Sequence, residues 1–112
     1  MDIEKLSREP LFGGELTINH CPKKAVLPKL VEAGFSTVVT VLGINEGAEK
    51  LIGDIRRAGL ESIWIPLAKA EPPSDPDVVT MIIKSFDQLY DRLSDGHTVY
   101  LYCPLVFIEL EC

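Results

Sequence analysis

The stretch Asp95-Gly96-His97-Thr98-Val99-Tyr100-Leu101-Tyr102-Cys103 decides the fold. Asp-Gly is a turn signal, and the β-branched and aromatic run behind it reads as a buried strand that ends on a cysteine. Beyond it the chain reads Pro104-Leu105-Val106-Phe107-Ile108-Glu109-Leu110-Glu111-Cys112. Working backwards, Val78, Val79, Ile82, Phe86, Leu89, Tyr90 and Leu93 recur at three and four. They predict one long amphipathic helix, with Asp75 as N-cap and Pro76 in its first turn. Glu61 to Leu67 is a strand ended by Pro66, and Asn45 to Gly59 a helix capped by Asn45. Thr37 to Leu42 has the β-branched density of a central parallel strand. Ala25 to Ala33 is a short helix closed by Gly34. Glu15 to Ile18 alternates like a half-buried edge strand.

Strands alternating with helices imply crossover connections. The expected fold is α/β, a four- to five-stranded, mostly parallel sheet flanked by helices on both faces. In such sheets ligands bind beyond the carboxyl ends of the strands. Cys103, the loop Ala68 to Ser74 and the turn Gly43-Ile44-Asn45 all fall at that edge.

The totals narrow the function classes. The 112 residues suit one domain, and 46% hydrophobic with 25% charged is ordinary globular composition. A net charge of −6 argues against nucleic-acid and anionic-membrane partners. No apolar run reaches the roughly 18 residues of a membrane helix, and the acidic start Met1-Asp2-Ile3-Glu4 is not a signal peptide. Three cysteines without framework spacing suit a reducing cytoplasm. His20 and Cys21 are adjacent rather than spaced as ligands, so no metal is expected. The chain divides into a polar arm (1–11), a folded region (12–103) and an apolar tail (104–112).

The order of pieces resembles the cysteine-dependent protein tyrosine and dual-specificity phosphatases in their small atypical form. The resemblance runs from Phe12 to Cys103. It is carried by Gly13-Gly14-Glu15-Leu16, Glu32-Ala33-Gly34-Phe35-Ser36-Thr37-Val38-Val39, Ala58-Gly59-Leu60, Trp64-Ile65-Pro66-Leu67, Pro72-Pro73-Ser74 and Gly96 to Cys103. It implies a phosphatase-like sheet and hydrolysis of a phosphorylated protein or another phosphomonoester through a cysteinyl-phosphate, with no cofactor. Cys103 then stands at the nucleophile position. The family's general acid is an aspartate in the loop after the Ile-Pro-Leu strand, where this chain has Ala68 or Lys69. Glu71 is the replacement candidate. Asp75 is a second one, more simply explained as a helix cap. Lys69 could meet an anionic substrate. Tyr102 replaces the histidine that often precedes the nucleophile and is expected to pack in the strand, and His97 is expected to be a solvated turn residue.

The resemblance stops after Cys103. The family signature is Cys-x5-Arg followed by Thr or Ser and Gly. Its amides cradle a phosphate dianion and favour the thiolate, and its arginine grips two phosphate oxygens. Here Ile108 and Glu109 stand near the arginine position, no glycine follows Cys103, and no lysine or arginine follows Arg92. The genetic code allows Cys103 to Cys112 to be written TGC CCG CTG GTA TTC ATC GAA CTG GAG TGC. One T inserted after the first codon gives TGC TCC GCT GGT ATT CAT CGA ACT GGA GTG, which translates as C-S-A-G-I-H-R-T-G-V. That is a complete signature. The expectation is a frameshifted phosphatase that lacks the C-terminal helices and is inactive in this form. The alternatives are a non-catalytic pseudophosphatase or protein-interaction module, and an unrelated small α/β module whose last strand runs from Tyr100 to Leu110.

Overall fold

A computed structural model describes residues 6–43, 47–67 and 73–103. The elements are β1 (Glu9–Leu11), β2 (Gly14–Asn19), α1 (Leu27–Glu32), β3 (Thr37–Val41), α2 (Ala48–Arg57), β4 (Glu61–Ile65), α3 (Pro76–Ser94) and β5 (Thr98–Tyr102). All five strands join one sheet in the order β1-β2-β5-β3-β4. β2, β5, β3 and β4 run parallel, and β1 lies antiparallel on β2. This is the α/β, mostly parallel sheet that the alternation of strands and helices implies.

The last described strand is the middle one in space. Val99 of β5, and Cys103 just after it, face a core with Val39, Val41, Ile63 and Ile65 beneath Leu89 and Leu93 of α3. Tyr100 and Tyr102 face the opposite core with Val38, Leu27 and Leu30 of α1, and Leu51 and Ile55 of α2. The two-residue side-chain period of a strand thus splits one short run between two cores.

Three local readings change. Glu15 to Ile18 is not at the edge, because Glu9–Leu11, placed in the polar arm, folds back as β1. The turn between them is Phe12-Gly13, with φ of 52° and 96°. Positive φ at both positions is what a two-residue hairpin needs for its twist to match the strands. Gly14, next in line, sits so close to the α3–β5 turn that a Cβ would lie 2.5 Å from the His97 carbonyl and 2.7 Å from that of Leu93. α2 starts at Ala48 with Gly47 as its N-cap; Asn45 lies outside the described residues.

α3 begins as expected, with the Asp75 carboxylate accepting from the Asp77 amide at 2.9 Å and Pro76 in its first turn. Its apolar stripe, however, divides. Leu89 and Leu93 are buried and Ile82 packs on the same core, whereas Val79, Phe86 and Tyr90 are exposed. Ser85 marks the rotation: its hydroxyl lies 2.5 Å from the Trp64 carbonyl and 2.8 Å from that of Met81 one turn back, and shares its one proton between them, so its small side chain sets the helix close over β4.

Side chains tie the amino-terminal margin of the strands. Arg92 grips Glu61 through two bonds of 2.6 and 2.7 Å. His97 is not a solvated turn residue: its Nδ1 lies 2.6 Å from the Ser36 hydroxyl. The hydrogen bonds from Arg92 hold the Glu61 carboxyl below the ordinary glutamate value of 4.5.

Two outcomes follow. Gly14→Ala forces a methyl into backbone and costs about 1–3 kcal/mol, seen as a lower urea midpoint. Arg92→Ala costs about 0.5 kcal/mol at neutral pH after allowance for exposure, seen as a slightly lower Tm. Because the folded Glu61 pKa is depressed, that contribution is present above the unfolded value and is lost as pH falls through the folded one. The difference in Tm between the two proteins should therefore shrink below pH 4.5.

Candidate active site

Parallel pairing brings the carboxyl ends of four strands to one margin. Tyr102 of β5 is in register with Asn19 of β2 on one side and Thr40 of β3 on the other. Val41 of β3 is in turn in register with Ile65 of β4. Cys103 follows Tyr102, so its sulfur sits at the end of the central strand, between the ends of β2 and β3. The helices lie on opposite faces of the sheet here: α1 and α2 pack on one side and α3 on the other. This is where an open α/β sheet leaves a crevice.

Two aromatic side chains fix the backbone of this margin. The Tyr100 hydroxyl donates to the His20 carbonyl just past β2. The Trp64 indole donates to the Leu42 carbonyl just past β3 at 2.7 Å. Buried tyrosine and tryptophan need a polar partner, so the sequence signals that each would find one. It does not say which carbonyl. Thr40 is fully buried, and its hydroxyl has no hydrogen-bond partner among the described residues.

The candidate residues fare differently. Cys103 is buried, with 9% of its surface exposed, and packs in the α3-side core. Tyr102 is buried in the other core, as expected of a packing residue. Asp75 caps α3. Glu71 and Lys69 lie outside the described residues. Arg92, the last basic residue in the sequence, is paired with Glu61 at the first residue of β4, the far margin of the sheet. It cannot serve Cys103 from there. Among the described residues, no three of His, Cys, Asp and Glu cluster closely enough to hold a metal ion. No described helix is long and apolar enough to cross a membrane. The described margin therefore holds a buried thiol at the end of the central strand.

No family model matches the sequence, and no curated protein matches it. Solved structures do. Tk-PTP in its active form superposes with a TM-score of 0.60 at 19% identity, over 84% of this chain and 60% of its own. The fold is phosphatase-like. A candidate phosphatase from Shewanella putrefaciens CN-32 gives a TM-score of 0.59 at 13% identity, over 89% of this chain and 64% of its own. A candidate protein tyrosine phosphatase from Leishmania major gives 0.54 at 18% identity, over 81% and 58%. The chain thus spans about three fifths of the length of these phosphatase-like structures. At such identities the likeness is one of fold.

The orphan hydroxyl of Thr40 supplies a test of this margin. Thr40→Val removes a buried polar group without changing shape, and should raise stability by about 1 kcal/mol in urea unfolding. A loss of similar size would mean that the hydroxyl has a partner in solution.

Proposed function

We propose that this chain carries the sheet and nucleophile strand of a cysteine-dependent phosphatase acting on phosphorylated proteins or other phosphomonoesters. The observation that supports the reading is the position of Cys103, at the carboxyl end of the middle strand in a phosphatase-like sheet. In the complete reaction the Cys103 thiolate would attack phosphorus and form an S–P bond as the ester P–O bond breaks. The leaving oxygen would take a proton from a carboxylic acid, and water would then hydrolyse the thiophosphate, releasing phosphate and restoring the thiol. Glu71 is our choice for the acid, Asp75 the alternative, and Lys69 would meet the anionic substrate. The reaction needs no cofactor, and it needs a reduced thiol, which a cytoplasmic setting supplies.

As written, the chain is expected to be silent. Residues 104–112 contain neither the glycines nor the arginine that a phosphate dianion requires, and an unstabilised thiol is a poor nucleophile. A one-base shift after the Cys103 codon would account for this mismatch. A second reading, a non-catalytic interaction module, is favoured by one observation: the apolar flank of α3 that the sheet leaves uncovered.

The nucleotide sequence across the codons for Tyr102 to Cys112 is the direct test. An alternate frame encoding Gly-x-x-Arg-Thr-Gly and continuing open supports the frameshift. The restored protein should then hydrolyse p-nitrophenyl phosphate, and Cys103→Ser should reduce that rate by roughly a thousandfold or more. The 112-residue chain should show no turnover. If no frame restores the loop, catalysis is abandoned.

A further inference from the structure

α3 carries more apolar surface than its own sheet covers. Val79, Ile83, Phe86 and Tyr90 are 36%, 57%, 52% and 53% exposed, and Phe12 is 60% exposed. At 100° per residue the four helical positions share one flank, next to the inward Ile82, Leu89 and Leu93. Lys84, Asp87, Gln88 and Asp91 occupy the solvent face beyond them. Ser85 ties the other flank to β4, so the apolar flank looks toward β5 and β2. Two contacts agree with that direction. Tyr90 meets Phe12, at the tip of the β1–β2 hairpin, edge to face with ring centres 5.1 Å apart. Ile18 of β2, in register with Leu101, is 45% exposed on the same side of the sheet.

We propose that this flank is a two-fold interface between two copies of the chain. The spacing of the stripe supports a self-complementary contact. Val79, Ile83, Phe86 and Tyr90 are separated by four, three and four residues, a pattern that reads the same from either end. Two antiparallel α3 helices related by a two-fold axis therefore set Val79 opposite Tyr90 and Ile83 opposite Phe86, each pair made twice, as an isologous contact requires.

Area supports it as well. Aromatic side chains bury roughly 150–250 Å² each, so three that stand half open leave roughly 300 Å² uncovered. The aliphatic neighbours bring the patch to roughly 500 Å², which is the apolar share of a standard interface of about 800 Å² per partner. None of these six residues is charged, so the two-fold axis brings no like charges together at the centre. The net charge of −6 on each copy opposes association from a distance, and salt screens that opposition. The proposal does not depend on the catalytic reading.

Sedimentation velocity of the full chain between about 1 and 100 μM tests it. The expected result is a monomer–dimer equilibrium with Kd of about 10 μM, tighter at higher salt. Phe86→Lys should raise Kd by about tenfold or more, with an unchanged circular dichroism spectrum showing that the fold survives. Glu49→Gln, on the exposed face of α2, should leave Kd within about twofold. A monomer at the highest concentration overturns the proposal and leaves the flank to a different protein segment. So does association that continues past two copies, and so does a dimer indifferent to both Phe86→Lys and Tyr90→Lys.

Discussion

The structure depends on one strand completing another pair. β5 is the last element described, yet it hydrogen-bonds to β2 on one side and β3 on the other. Without it, β1-β2 and β3-β4 are separate two-stranded pieces, each marginal in water. With it, Val99 and Cys103 close one core while Tyr100 and Tyr102 close the other. Every crossover then has a sheet to pack on. The cost is entropic: β2 and β5 are joined only after about eighty intervening residues are arranged, which is the slow, non-local kind of pairing.

This central placement also bears on the chemistry we propose. A strand buried on both faces has a fixed end, and the residue there cannot drift. Tyr100 and Trp64 extend that fixity by holding the first carbonyls beyond β2 and β3. A thiol at such a position is well placed for a reaction that needs a nucleophile held in line. Position is one half of the requirement. The other half is a positive field, and the last basic residue of the chain spends its charge on Glu61 at the opposite margin.

Much of this was legible in the sequence, for identifiable reasons. The β-branched runs at Thr37 and Thr98, and the Asp75-Pro76 start of α3, are strong local signals that tertiary packing did not override. The hairpin at Phe12-Gly13 was missed, because Glu9-Pro10-Leu11 has neither alternation nor β-branched residues and is held by pairing alone. The division of the α3 stripe was missed for a related reason. Periodicity reports which positions share a helical flank but not how far the opposing surface extends, and Ser85 fixes that rotation through a bond to a distant strand. The same holds for His97, whose partner Ser36 lies 61 residues away in sequence. At the candidate site the position of Cys103 just past the last described strand is legible from its strand context, whereas the carbonyls that anchor the margin belong to the backbone and leave no mark in residue identity.

The bond between Ser85 and Trp64 has a bearing on solubility. β4 is an edge of the sheet, and alternate residues of an edge strand turn their amides and carbonyls outward, where a strand from another molecule can add. In β4 the Ile65 carbonyl is directed inward, accepting from Leu42, so Trp64 is one of the outward residues. Its carbonyl is already taken by the Ser85 hydroxyl. The helix thus removes an acceptor that a foreign strand would need. On the other side of the sheet, the short antiparallel β1 takes the edge in place of β2. Each border of the sheet thus offers a foreign strand less free backbone than a bare parallel edge would.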